Sequence, residues 1–128
     1  MPITDHYPIP PSTQDLPVPI DSSAPLFLCF IAGTDPATNA SWCPDVRAAL
    51  PKLQRVFESE TAPKLLYVHV GQKPEWKDQG NVYRTQWGVK AVPQLVKFQR
   101  IGGEVKVVGQ LVENEVLDEE KLGAFVSA

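Results

Sequence analysis

The apolar run Leu26-Phe27-Leu28-Cys29-Phe30-Ile31-Ala32, closed by Gly33-Thr34-Asp35-Pro36, constrains the fold of this chain more than any other stretch. It falls far short of the ~20 apolar residues of a membrane span and has the length of a buried strand. The Gly-to-Pro segment after it carries turn chemistry. Beyond a polar loop through Asn39-Ala40-Ser41, the periodicity changes. Val46, Ala49, Leu50, Leu53, Val56 and Phe57 recur at i, i+3, i+4, i+7, i+10 and i+11, one apolar face of a helix from about Pro44 to Glu58. Pro51 lies inside that pattern, where it removes a hydrogen bond to the carbonyl of Arg47 and is expected to kink the helix.

The punctuation after this unit is regular. Lys64 to Val70 is rich in β-branched and aromatic residues and stops at Gly71, which predicts a second strand. Asn81 is placed to cap a short helix carrying Val82, Tyr83 and Trp87 and ending at Gly88. Gln94 to Gln99 and Glu104 to Gly109 predict two strands joined around Gly102-Gly103. Asp118 caps a last helix with Leu122, Phe125 and Val126 facing inward. No internal repeat is visible. The order strand, helix, strand, helix, strand, strand, helix predicts an α/β domain with a mixed sheet.

The first 25 residues differ in kind, for they hold seven of the 13 prolines. Such density removes backbone donors and fixes φ, so residues 1–25 are expected to form an extended arm, with a short edge strand near His6-Tyr7. The Pro8 to Pro11 spacing fits a polyproline ligand, although an arm packed on its own domain explains it more simply. With 128 residues in all, 26–128 is expected to be one domain with one core.

Charge and cysteine content remove several function classes. The net charge is −3 and Lys and Arg form no run, so neither nucleic acid nor an anionic membrane is an expected partner. The opening residues lack the basic segment and apolar stretch of a signal peptide, which makes a cytoplasmic setting the expectation. Two cysteines are too few to staple a small secreted domain or to build a cysteine-rich zinc site. His6 and His69 have no ligand spacing with them, so no metal is expected.

Chemistry concentrates in Ser41-Trp42-Cys43-Pro44-Asp45-Val46, where a strand and loop deliver the chain into the first helix. Pro44 suits the first helical position, which leaves Cys43 at the N-cap. There its sulfur can meet the free N–H groups of Asp45 and Val46 at the positive end of the helix dipole, a setting that favours a thiolate. Asp45 opposes this, since a nearby negative charge disfavours a second one. Trp42 is placed to flank the thiol. Trp76, Trp87 and His69 have simpler explanations as packing or structural side chains.

Three segments now stand in order: Ser41-Trp42-Cys43-Pro44-Asp45, Val70-Gly71-Gln72-Lys73-Pro74-Glu75-Trp76-Lys77-Asp78, and Ala91-Val92-Pro93-Gln94-Leu95. Together they resemble the thioredoxin domain-containing protein 17 family, over roughly Leu26 to Val126. The resemblance implies a thioredoxin-like fold, a central mixed sheet flanked by helices, here with the proline-rich arm where the family has an opening strand and helix. It implies a cytosolic reductant of disulfides and related thiol adducts, drawing electrons from thioredoxin reductase. Cys43 matches the family's attacking cysteine and Pro93 its cis-proline. Trp42, Pro44, Asp45, Val92 and Pro93 would then border the substrate, with Val92 backbone pairing to an extended peptide.

One departure bears directly on mechanism. The family's Cys-Pro-Asp-Cys stands here as Cys43-Pro44-Asp45-Val46. Thiol–disulfide exchange needs a thiolate to attack and a second thiol to resolve the mixed disulfide. Val46 has no sulfur, and Cys29 belongs to the buried strand run. Val46 therefore speaks against a partnership with thioredoxin reductase, which regenerates a dithiol. A monothiol cycle remains, in which glutathione as co-substrate resolves the adduct of Cys43 with a protein or small-molecule thiol or disulfide. The alternative is a non-catalytic binding module that uses the cis-proline groove.

Overall fold

The computed structural model describes residues 2–20 and 22–127. Met1, Asp21 and Ala128, which fall within the expected arm (1–25) and domain (26–128), lie outside the described residues.

The apolar run forms β2 (Leu26–Ile31), and every residue in it is buried. It is flanked by β5 (Lys64–His69), which runs parallel to it, and β6 (Gln94–Ile101), which runs antiparallel. Alternation along β2 sends Phe27 and Phe30 to opposite faces. Phe27 meets Phe57 of α1 (Pro44–Phe57) and Phe125 of α5 (Glu119–Ser127), both edge-on. Phe30 meets Tyr83 of α3 (Val82–Thr85) and the neighbouring Trp87. Helices thus cover both faces, which is why β2 is apolar throughout instead of alternating. The chain is an α/β domain with a mixed sheet, as expected.

The five-stranded sheet has the order β1-β5-β2-β6-β7, with β1 Ile3–Thr4 and β7 Glu104–Val112 at its edges. A separate two-stranded hairpin, β3 (Thr34–Asp35) with β4 (Ala40–Ser41), leads into α1. The first edge strand lies at Ile3–Thr4, earlier than the expected His6-Tyr7. It pairs parallel with Leu65 and Leu66, and past a left-handed His6 (φ 52°) the chain returns so that Tyr7 N–H donates to the Tyr67 carbonyl at 2.9 Å.

The rest of the N-terminal segment is built into the body. A short 3-10 turn at Thr13–Asp15 precedes Leu16 and Val18, which are only 1% and 2% exposed and belong to the same core as β2. The Gln14 side chain both donates to and accepts from the backbone of Val105 on edge strand β7. That pairing occupies part of an edge that would otherwise offer free donors and acceptors to another chain.

The principal helix follows its periodicity. Val46, Ala49, Leu53 and Phe57 are its buried residues, and it continues through Pro51. The Asn81 side chain accepts from Tyr83 N–H, and the Asp118 side chain accepts from the N–H groups of Glu120 and Lys121, so both expected caps form. Two short helices, α2 (Lys73–Lys77) and α4 (Asn114–Leu117), carry no periodic signal because neither exceeds five residues. No helix among the described residues is long and apolar enough to cross a membrane.

Candidate functional site

Cys43 sits at the N-cap of α1 with extended backbone (φ −96°, ψ 121°), and Pro44 opens the helix. The sulfur, expected at the N–H groups of Asp45 and Val46, makes no capping hydrogen bond. It points instead to the carbonyl oxygen of Val92, 3.9 Å away, as a weak S–H donor. The Val92–Pro93 peptide bond is cis, and both residues are buried. The first and third motifs, 49 residues apart, thus meet at the thiol.

The loop before the helix is held from several sides. Ser41 Oγ donates to the Ala32 carbonyl and accepts from Cys43 N–H, each at 3.3 Å. Arg47 Nη1 donates to the Ser41 carbonyl at 2.6 Å. The Trp42 backbone N–H donates to Gly33, and its indole Nε1 donates to the Gly71 carbonyl at 3.0 Å. Gly71 also accepts from Gly33 N–H at 2.9 Å. A Cβ on Gly33 would come within 2.9 Å of that oxygen, so the two backbones approach this closely only because position 33 is glycine.

The second motif is therefore a strut. Gly71 holds the Trp42 indole, and Gln72 Nε2 donates to the Thr34 carbonyl at 2.7 Å. Gln72 and Glu75 cap α2 reciprocally, with Gln72 N–H donating to Glu75 Oε1 at 2.8 Å. Trp76 is buried, with the Arg84 guanidinium 3.8 Å above its ring. Lys73 and Lys77 are exposed.

Pro44 is exposed at the helix start, Trp42, Cys43 and Asp45 are half-buried, and Val46 is fully buried. Both cysteines are free. Cys29 lies mid-strand in the core, where burial pushes its thiol up and holds it protonated. Sequence reasoning included Ser41 in the motif without a role of its own and gave Arg47 none at the site, because their contacts depend on the hairpin geometry. The glycines at the ends of two adjacent strands were the visible signal for the close approach at the site.

The geometry also gathers residues that the sequence leaves far apart. Asp5, His6 and His69 form one cluster at the β1–β5 edge. His69, expected to be a satisfied structural histidine, has its Nε2 2.7 Å from Asp5 Oδ1.

A mixed sheet covered by helices, with a cysteine at a helix start facing a cis X–Pro bond, defines a thioredoxin-like domain. Solved thioredoxins share the fold. That of Trichomonas vaginalis superposes with a TM-score of 0.56 at 20% identity over 80% of this chain and 77% of its own. That of Plasmodium falciparum gives 0.52 at 15% over 83% and 74%. Residues 14–125 match the family model described as thioredoxin domain-containing protein 17-like, thioredoxin domain, and the chain belongs to this family. A thioredoxin domain-containing protein of Schizosaccharomyces pombe is 38% identical over 101 residues, covering 79% of this chain and 82% of the relative. Human thioredoxin domain-containing protein 17 is 36% identical over 70 residues, and the chain spans only 57% of its length.

Proposed function

We propose that this domain carries out monothiol thiol–disulfide exchange, with Cys43 as the attacking sulfur and an external thiol, glutathione, as the resolver. The observation that carries the reading is the placement of a half-exposed Cys43 against the Val92 carbonyl, with a fully buried valine at position 46.

The cycle needs only one protein sulfur. The Cys43 thiolate attacks the glutathione sulfur of a mixed disulfide R–S–S–G, forming Cys43–S–S–G and releasing R–S⁻, which takes a proton from water. A glutathione thiolate then attacks the glutathione sulfur of the adduct, releasing oxidised glutathione and restoring the Cys43 thiolate. The sum is R–S–S–G plus glutathione giving R–SH plus oxidised glutathione. Ionisation of Cys43 removes the S–H donor from the Val92 carbonyl. That oxygen is then available to a substrate N–H in a β-type contact. The indole of Trp42, the residue before Cys43, is held by the Gly71 carbonyl. Glutathione supply is consistent with a cytoplasmic setting, and thioredoxin reductase is not required.

The test is turnover of a glutathionylated peptide with glutathione, coupled to glutathione reductase. Wild type is expected to exceed the uncatalysed rate and to give a Cys43–glutathione adduct by mass spectrometry, and Cys43→Ser to lose both. Equal rates in wild type and Cys43→Ser overturn the proposal. Peptide binding that survives in Cys43→Ser, without wild-type turnover, would make the domain a binding module.

A further inference from the structure

The geometry points to a second site, independent of Cys43: a binding site for a divalent transition-metal ion of the zinc type, formed by Asp5, His6 and His69. Each residue offers one ligand atom, and these atoms all lie within 4.8 Å of one another. The Asp5 carboxylate addresses both imidazoles, with Oδ1 2.7 Å from His69 Nε2 and Oδ2 3.7 Å from His6 Nε2. The two rings stack with centroids 3.9 Å apart and planes 7° from parallel. Two imidazoles and one carboxylate suit zinc, nickel or copper, whereas magnesium and calcium prefer all-oxygen sets.

The fold holds this set in place from both strands. His69 ends β5, and its side chain is 16% exposed. Asp5 and His6 directly follow β1, and the chain is tied to β5 again by Tyr7 N–H on the Tyr67 carbonyl. Between those ties His6 adopts a left-handed backbone (φ 52°), uncommon for a residue with a Cβ. Its N–H donates to Asp5 Oδ1 at 2.8 Å, and the turn carries its ring over His69.

Parallel rings direct their nitrogen lone pairs side by side, so an ion requires one ring to turn. His6, whose side chain is 71% exposed, has the room. Donors around a tetrahedral ion at ~2.0–2.1 Å stand about 3.4 Å apart, so the 2.7 Å Asp5–His69 pair opens by about 0.7 Å and any separation near the 4.8 Å limit closes by about 1.4 Å. The ion would replace whatever proton His69 and Asp5 share, and water would complete the coordination. The site is two residues from Gly71, which holds Trp42, and shares no residue with the thiol site.

The experiment is zinc chloride titration of the untagged full chain by calorimetry, alongside His6→Ala, Asp5→Asn, His69→Ala and Cys43→Ser, with folding checked by circular dichroism. Wild type and Cys43→Ser are expected to bind one zinc with equal affinity. His6→Ala, at an exposed position, is expected to weaken binding at least about tenfold, since loss of an outer-sphere partner alone costs ~10–100-fold. Absence of binding by wild type, unchanged binding in His6→Ala, or loss of binding in Cys43→Ser each overturns the inference. Should His69→Ala fail to fold, His6→Ala and Asp5→Asn still decide it.

Discussion

Val46 stands three residues beyond Cys43 and is fully buried at the start of α1. A cysteine there would lie one helical turn from the Cys43 sulfur, the spacing that lets i and i+3 side chains meet. Val46→Cys is expected to raise insulin-disulfide reduction with dithiothreitol as reductant by an order of magnitude or more, and to yield a protein disulfide after mild oxidation. Its cost in urea unfolding is expected to stay below ~1.5 kcal/mol, the range for a buried swap of similar volume. Unchanged turnover would mean that position 46 does not limit the chemistry. Cys29 offers no substitute, for its thiol is fully buried and held protonated. The two cysteines of this small chain thus differ in burial: Cys29 is sealed in the core, whereas Cys43 is half-buried at a helix start.

Among the elements, α1 carries the site and is itself anchored at its far end. Arg55 Nη2 donates to Glu119 Oε1 at 2.6 Å, and Lys52 Nζ lies 3.6 Å from the same oxygen, linking α1 to α5. The Arg55 hydrogen bond, then the charges of Lys52 and Arg55, hold the Glu119 carboxyl below its ordinary value. A carboxyl depressed on folding adds stability above its unfolded value of ~4.3, and that stability is lost as pH falls through the folded value. The stability difference between wild type and Glu119→Gln is accordingly expected to be small, largest near neutral pH, and to vanish in acid. High salt should shrink it too, as urea midpoints across pH and ionic strength will measure. The helix itself was legible from its apolar period and Pro44, and α3 and α5 from their caps. The helices α2 and α4 were not, because four or five residues cannot display a 3.6-residue repeat. The edge strand shifted from His6-Tyr7 to Ile3–Thr4 for a similar reason: two residues of pairing leave no alternation to read.

Across the whole molecule, the proline-rich segment contributes to the core. Leu16 and Val18 are buried with β2, and Arg100 Nε donates to the Val18 carbonyl at 3.1 Å. Leu16→Ala is expected to destabilise by about 2–5 kcal/mol, as for other fully buried leucines, and to lower the urea midpoint without changing the slope. An effect below about 1 kcal/mol would show that the arm is dispensable to the body. What the residues determined by themselves is local: the buried run at Leu26–Ile31, the helix after Pro44, the capping residues, and valine where a second cysteine would stand. These follow from periodicity, backbone chemistry and side-chain identity, which act over a few residues. Only the tertiary structure decided that the Cys43 sulfur faces the Val92 carbonyl instead of its own helix, and that Asp5 and His69, 64 positions apart, share one cluster. Such contacts arise from sheet register and chain crossing, and no short-range pattern encodes them.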